Sequence, residues 1–229
     1  MKIKFIGQST FIITLPDGVT MMTDPWLAPH FLKHYTIPID PETLPRCDYM
    51  LVSHLHIDHL DSRALKMAKR LGTTFIGSVK AARRAESRGV KNVIAMRQGE
   101  TADLRGFKLY AVFAEHPLAA DAVGFIIEAD KTVYFSGDTR LKGELVSDLS
   151  RFVIDIALLQ SACAIYFFKK DGMDMEDSAE LARRIKPKIA IPMHCNDRFR
   201  HPDPGELKTA LAGTNVQVDI LQLGQEKDY

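Results

Sequence analysis

One short segment of this 229-residue chain most constrains its fold and its chemistry: His54-x-His56-x-Asp58-His59. Three imidazoles and a carboxylate lie within six residues, although the chain has only eight histidines. In an extended segment, residues i and i+2 point to the same side, so His54 and His56 can bind one metal ion together. If a helix follows, Asp58 and His59 turn toward a second ion, roughly 3.5–4 Å from the first. The alternatives are a histidine-rich surface turn and a single structural ion.

Four more residues of ligand type stand at or just beyond the ends of apolar strands. Strand ends converge on one rim of a sheet, where α/β proteins usually place their sites. Taken one at a time, each residue has a structural explanation, because an Asp can cap a helix and a buried His can be a satisfied core residue. Their shared position instead predicts that they join the histidine segment. The four residues are Asp24, His116, Asp138 and His194.

The surrounding pattern is a run of strands followed by alternating helices and strands. It predicts helices over Val79–Ser87 and Met175–Ile185, a third helix beginning near Pro204, and a late strand over residues 216–221. The proline-rich segment 27–45 is predicted to be a long loop of the kind that forms lids or binding loops. Two facing sheets with helices outside accommodate this pattern. No linker divides the chain, so we expect a single domain over residues 1–229.

Composition argues against several classes of protein. Lys and Arg total 30 against 29 for Asp and Glu, so there is no electrostatic case for binding nucleic acid or a membrane surface. No apolar run approaches the ~18 residues that a membrane span needs, and the N-terminal residues lack a signal-peptide pattern. The three cysteines Cys47, Cys163 and Cys195 are widely spaced and include no CxxC pair. We therefore expect free thiols and a cytoplasmic protein.

The ordered set of ligand-type residues resembles the five motifs of the metallo-β-lactamase-fold superfamily. The segments GQST, TDPW, SHLHIDHLD, FSGDT and IPMHC are similar to those of small metal-dependent hydrolases related to ascorbate-6-phosphate lactonase. The match runs from the first strands to beyond residue 194 and so covers nearly the whole chain. It implies an α/β fold, a four-layer αββα sandwich of two mixed β-sheets, with a dinuclear site between the sheets.

The resemblance also implies roles for individual residues. The first metal ion would be bound by three imidazoles, those of His54, His56 and His116. The second ion would be bound by Asp58, His59 and His194. Asp138 would bridge both ions, and Asp24 would orient a ligand histidine from outside the ligand set.

This ligand set favours hydrolysis over redox chemistry. Flavodiiron relatives of the superfamily carry Glu at the position of His56. Imidazole-rich ligation suits zinc, with manganese and iron as alternatives because Asp58 and Asp138 are hard oxygen ligands. We expect two divalent ions to activate water against an ester, lactone or phosphoester of a small molecule, with Asp58 as the catalytic residue that accepts or returns the proton. The alternatives are a phosphodiesterase or nuclease, and a metal-binding protein without turnover.

Fewer sequence features support the predictions of substrate contacts and of assembly into a homo-oligomer. The first turn reads Gly7-Gln8-Ser9, whereas these relatives commonly have Gly-His-Ser, which makes Gln8 a candidate substrate contact. Arg140 and Arg198, with Arg200 close behind, follow ligand-type residues and are candidates for binding an anionic group of the substrate. The alternative for each arginine is a solvated, charged loop. The aromatic run at residues 166–168 is predicted to form a lid or a contact between copies in a homo-oligomer.

Overall fold

The structure is a computed structural model that describes residues 1–166, 169–199 and 201–229. Predictions about a lid, an oligomer contact and an anion site fell on Phe167, Phe168 and Arg200, which lie outside the described residues. No helix in the described ranges is both long enough and apolar enough to cross a membrane.

In the described ranges, fourteen strands form two sheets of seven strands each. In spatial order, sheet I contains β16 (Glu226–Asp228), β1 (Lys2–Gly7), β2 (Thr10–Thr14), β3 (Thr20–Thr23), β4 (Tyr49–Val52), β5 (Thr74–Gly77) and β6 (Val93–Ala95). Sheet II contains β15 (Gln217–Val218), β14 (Ile189–Met193), β11 (Ile156–Gln160), β10 (Thr132–Phe135), β9 (Gly124–Glu128), β8 (Phe107–Val112) and β7 (Thr101–Leu104). Two further strands, β12 (Ile165–Tyr166) and β13 (Lys169–Lys170), pair with each other in a separate two-stranded sheet.

Helices cover the outer face of each sheet. Sheet I is covered by α1 (Ser62–Leu71) and α2 (Val79–Ser87). Sheet II is covered by α3 (Gly143–Leu149), α4 (Met175–Ile185) and α5 (Gly205–Ala210). A third apolar core fills the space between the sheets. Each sheet combines antiparallel with parallel pairs, so the predicted αββα sandwich of two mixed sheets is confirmed.

The strand sequences explain why both faces of a central strand are buried. In β4, Leu51 points into the core between the sheets, whereas Met50 and Val52 point toward α1 and α2. In β3, Met21 likewise points into the core between the sheets, and Met22 points toward the helices that cover sheet I. Because side chains alternate along a strand, one uninterrupted apolar run supplies two cores at once.

Most predicted elements match the structure, and α2 and α4 have the predicted bounds. The strand predicted over residues 216–221 is shorter than expected, since only Gln217 and Val218 pair with β14. This strand lies at the edge of sheet II, and with a neighbour on one side only its pairing ends early. Segment 27–45 is a loop, as predicted, apart from one isolated bridge between Lys33 and Asp197.

The 27–45 loop packs against the end of β1, where Gly7 has a φ of 127°. A Cβ at this position would overlap the ring of Tyr35. We expect Gly7→Ala to lower the free energy of unfolding by about 2–5 kcal/mol, since backbone strain and overpacking add. Urea denaturation measures this loss. Gly18→Ala is the control. Gly18 has a φ of 83°, but an added Cβ would have nothing within 4 Å, so this variant should lose about 1–2 kcal/mol in the free energy of unfolding. Equal losses in the two variants would show that Tyr35 does not restrict position 7.

Candidate metal centre

The structure brings the predicted ligand-type residues together at one edge of the sandwich. Asp24 and His194 directly follow β3 and β14, and the segment from His54 to His59 lies between β4 and α1. His116 lies in the loop after β8, and Asp138 follows β10. The strands that precede these residues belong to both sheets, so the site is formed where the two sheets meet at their ends.

The first cluster consists of His54, His56 and His116. Nδ1 of His56 lies 2.9 Å from Nε2 of His54 and 3.2 Å from Nε2 of His116. In His54 and His116, the ring nitrogen that points away from the cluster, Nδ1, has a hydrogen-bond partner. Nδ1 of His54 lies 2.9 Å from Oγ of Ser53, and Nδ1 of His116 lies 2.6 Å from the carbonyl oxygen of Asp171. A donated Nδ1–H in His116 leaves the Nε2 lone pair facing the cluster, which is what a metal ligand requires.

The second cluster consists of Asp58, His59 and His194. Oδ2 of Asp58 lies 3.3 Å from Nε2 of His194 and 3.6 Å from Nε2 of His59. His194 has a φ of 68°, and its backbone N–H donates to the carbonyl of Gln8 at 3.0 Å. This bond ties the second cluster to the first turn of the chain.

Asp138 faces both clusters. Its Oδ2 lies 3.3 Å from Nε2 of His59 and 3.4 Å from Nε2 of His194 in the second cluster. Its charge also interacts with His54 of the first cluster. Asp138 therefore contacts the second cluster and interacts through its charge with the first.

Asp24 lies behind the clusters and accepts three hydrogen bonds. Its Oδ1 accepts from the backbone N–H of Ser53 at 2.7 Å, and its Oδ2 accepts from Oγ of Ser53 and from Nδ1 of His59, both at 2.6 Å. An oxygen of Asp24 is also close enough to nitrogens of His54 and His59 to form a third candidate ligand group. Its oxygens are already occupied by these donors, so its geometry suits an orienting role better than metal binding.

Burial and charge shift the pKa values of the histidines in opposite directions. Burial lowers the pKa of His54 well below its ordinary value, and the neighbouring His59 lowers it further. Burial alone would also lower the pKa of His59, but the carboxylates of Asp138 and Asp58 raise it well above the ordinary value. The second cluster therefore attracts positive charge strongly.

The two carboxylates of the centre are held in their ionised form. Burial alone would raise the pKa of Asp58, but His59 and His194 hold it well below its usual range. His194 and His59 have the same effect on the pKa of Asp138, again against the effect of burial. Metal ions bind ionised carboxylates and neutral imidazoles, so a bound ion would replace the proton that the raised pKa keeps on His59.

The residues present fit divalent metal ions. Among the described residues, buried side-chain atoms without a hydrogen-bond partner include Nε2 of His59, Oδ1 of Asp138 and both ring nitrogens of His194. Leaving such atoms unpartnered costs about 1–3 kcal/mol each, and coordination would remove this cost for the one atom of each residue that binds the ion. Donors held 2.0–2.1 Å from a tetrahedral zinc ion lie roughly 3.3–3.4 Å apart. The observed separations of 2.9 to 3.6 Å bracket this value.

The candidate substrate contact Gln8 lies beside the second cluster. It is fully buried, with a φ of 55°, and its Oε1 accepts a hydrogen bond from the backbone N–H of Asn196 at 3.2 Å. Its Nε2 has no hydrogen-bond partner among the described residues. This free donor keeps Gln8 a candidate for a polar contact at the centre.

The two candidate arginines have different surroundings. The guanidinium of Arg140 pairs with Glu115 at 3.1 Å and donates from Nε to the carbonyl of Lys170 at 2.5 Å, so it joins the loop after β8 to strand β13. Arg198 has an exposed side chain, and its backbone N–H donates to the carbonyl of Leu32 at 2.8 Å. Arg140 is thus engaged within the protein, whereas the Arg198 side chain faces solvent.

Two supporting groups were not predicted from the sequence. Ser53 contacts both Asp24 and His54, and its place directly before His54 at the end of β4 is a signal that could have identified it. The carbonyl of Asp171 holds His116. A backbone carbonyl has no residue-specific signal, so this contact could only be found in the folded chain.

Comparison with known proteins identifies the family. The family model of the beta-lactamase superfamily domain matches residues 16–195. The chain belongs to the metallo-β-lactamase superfamily. A UPF0173 metal-dependent hydrolase of Nanoarchaeum equitans is 31% identical over 242 residues and aligns over 100% of both chains. A second such hydrolase, from Desulforamulus reducens, is 31% identical over 240 residues and aligns over 98% of both chains.

Solved structures of this superfamily share the fold. The metallo hydrolase Igni18 from Ignicoccus hospitalis superimposes with a TM-score of 0.82 at 24% identity, covering 100% of this chain and 98% of its own. The isothiocyanate hydrolase from Delia radicum gut bacteria gives a TM-score of 0.85 at 20% identity, and the superposition covers 100% of this chain and 99% of the chain of that hydrolase. At these identities the two structures support the fold alone. The sequence relatives and the family model establish the chain as a metal-dependent hydrolase.

Proposed function

We propose that this hydrolase binds two divalent metal ions, with zinc preferred, and cleaves an ester, lactone or phosphoester bond of a small molecule. The observation that supports the proposal is the pair of largely buried donor clusters, with Asp138 in contact with the second and interacting through its charge with the first. Bound ions of this kind lower the pKa of water from about 15.7 toward about 7 and polarise the substrate oxygen.

Seven side chains of this protein would hold the ions. His54, His56 and His116 would bind the first ion. Asp58, His59 and His194 would bind the second, and Asp138 would be shared. Asp24 would fix the ring of His59, because a hydrogen bond to Nδ1 sets which nitrogen faces the metal.

Asp58 would also move the proton. Its side chain is 17% exposed, compared with 8% for Asp138 and 0% for Asp24, so it is the carboxylate of the three that water and substrate reach most readily. Its carboxylate is ionised near neutral pH, which is the form required of a proton acceptor, because, against the effect of burial, His59 and His194 lower its pKa. We assign its carboxylate the role of taking the proton from the attacking water and returning it to the leaving group.

The first test is the metal content of the purified protein, measured by elemental analysis beside a His56→Ala variant. We expect about two equivalents of zinc, manganese or iron in the wild type and clearly less in the variant, because a ligand of the first ion is lost. His34→Ala removes an exposed histidine outside both clusters and should leave the metal content unchanged. One equivalent or none, unaffected by His56→Ala and not restored by added metal, would refute the dinuclear site.

A substrate screen of the metal-loaded protein separates the remaining alternatives. Hydrolysis of 4-nitrophenyl esters or of lactones supports the proposal. Cleavage of bis-4-nitrophenyl phosphate without cleavage of esters or lactones would indicate a phosphodiesterase. Two equivalents of metal without turnover of any of these compounds would indicate a metal-binding protein.

A further inference from the structure

A cavity of about 450 Å³ adjoins the candidate metal centre at His56. This volume lies in the range of small-molecule binding sites. Trp26, Leu55, Leu60 and Leu65 give the cavity a largely apolar wall. A larger cavity of about 630 Å³ is lined by none of the seven proposed metal ligands, so the smaller one has the direct connection to the centre.

Ile57 adds a second apolar feature to this cavity. It lies between the proposed ligands His56 and Asp58, lines the cavity and is 53% exposed. An exposed isoleucine within the ligand-bearing segment places apolar surface at the entrance to the centre. A substrate with an apolar group would bury that surface on binding.

Two arginines supply positive charge to the same cavity. Arg84 lies in the last turn of α2 and Arg88 follows four residues later as its C-terminal cap, and both are exposed. Within the described part of the chain, neither guanidinium forms an ion pair, whereas Arg63 pairs with Asp40 and with Glu42. Like charges at this spacing repel each other. The helix dipole favours cations at this end of α2, but it does not explain why both line one cavity.

The one carboxylate that lines the cavity is already engaged. Asp61 accepts from the backbone N–H groups of Leu27 and Ala28 with one oxygen, and from those of Arg63 and Ala64 with the other. These four donors offset its charge locally. The guanidinium groups of the cavity are therefore left as cations without an ion-pair partner among the residues that the structure describes.

We propose that this cavity is the substrate-binding subsite and that the substrate combines an apolar group with an anionic group, a carboxylate or a phosphate. The apolar group packs against Leu60 and Leu65, and the anionic group pairs with Arg84 and Arg88. The bond to be cleaved then lies at the His56 end of the cavity. The assignment of this bond rests on the proposed function, whereas the binding of an apolar anion can be measured without it.

Binding is tested first with 8-anilinonaphthalene-1-sulfonate, a fluorescent dye with apolar rings and one anionic group. We expect saturable binding to the wild type, weakened about tenfold in the Arg84→Gln/Arg88→Gln double variant, because charge-assisted contacts are lost. Arg83→Gln removes an exposed arginine of the same helix that does not line the cavity, and it should bind the dye like the wild type. Equal affinity in all three proteins would overturn the proposal, as would equal weakening in both variants.

A pair of esters tests the substrate class. Mono-4-nitrophenyl adipate is anionic, and 4-nitrophenyl hexanoate has an acyl chain of the same length without the charge. We expect the double variant to raise KM for the adipate ester about tenfold without changing KM for the hexanoate ester, and Arg83→Gln to change neither. Equal KM values for both esters in every variant would overturn the anionic subsite while leaving the hydrolase proposal intact. Dye binding that depends on Arg84 and Arg88 without hydrolysis of either ester would support the subsite and count against the proposed reaction.

Discussion

Asp24→Ala is expected to weaken the fold and metal binding together. Asp24 is fully buried and accepts three hydrogen bonds, two from Ser53 and one from His59. Alanine leaves these donors without a partner and leaves His59, whose pKa is raised well above its ordinary value against the effect of burial, with less compensating charge. We expect a loss of about 3–5 kcal/mol in the free energy of unfolding of the metal-free protein. Metal affinity should fall about 10–100-fold, because the His59 ring is no longer oriented.

Asp48→Ala is the matched control, since Asp48 joins the opposite ends of the same two strands. Its carboxylate accepts from the backbone N–H and from the hydroxyl of Thr20, but its side chain is 23% exposed. We expect a loss of about 1 kcal/mol and no change in metal affinity. Urea denaturation and metal titration against a chelator measure both quantities. An Asp24→Ala variant with metal affinity equal to that of Asp48→Ala would show that Asp24 does not orient His59.

The local part of the candidate centre could be predicted because it depends on short-range geometry. The segment from His54 to His59 joins a strand to a helix capped by Asp61, and both elements form as the apolar pattern and the cap indicate. The distant members, such as Asp138 and His194, could be proposed only from their places at strand ends and from the family resemblance. Asp138 lies 3.3 Å from His59 and 3.4 Å from His194, and His194 lies 3.3 Å from Asp58. These distances depend on how the two sheets meet, which no local pattern encodes.

Two of the strands that the sequence did not predict lie where burial is weak. β7 and β16 are edge strands whose residues are exposed or half-buried, so neither shows an apolar run. β16 pairs with β1 across the whole chain, with Lys2 opposite Asp228. The contact between Tyr35 and Gly7 is equally long-range. Apolar patterns report burial within one segment, whereas these features depend on the partner that a segment finds after folding.

Asp58→Asn is expected to lower kcat about 10²–10⁴-fold while metal remains bound at saturating concentration. In the wild type, Oδ2 of Asp58 lies 3.3 Å from Nε2 of His194. The amide has almost the same shape as the carboxylate and can keep an oxygen at this position. It cannot take up the proton of an attacking water, and a loss of this size is typical for removal of a general base. Kinetics on an ester hydrolysed by the wild type measure the effect, and elemental analysis of the same sample reports the metal.

Asp155→Asn separates this catalytic effect from the general cost of removing a carboxylate. Asp155 lies at the opposite end of sheet II, accepts from the backbone N–H of Thr132 at 2.8 Å and pairs with Lys188, and its side chain is 18% exposed against 17% for Asp58. The two variants thus remove similarly exposed charges, but only Asp58 faces the clusters. We expect Asp155→Asn to retain wild-type kcat with at most about 1 kcal/mol lost in stability, because an amide oxygen can still accept from Thr132. Full activity in Asp58→Asn would exclude its proton-transfer role, and loss of metal together with activity would restrict Asp58 to the role of a ligand.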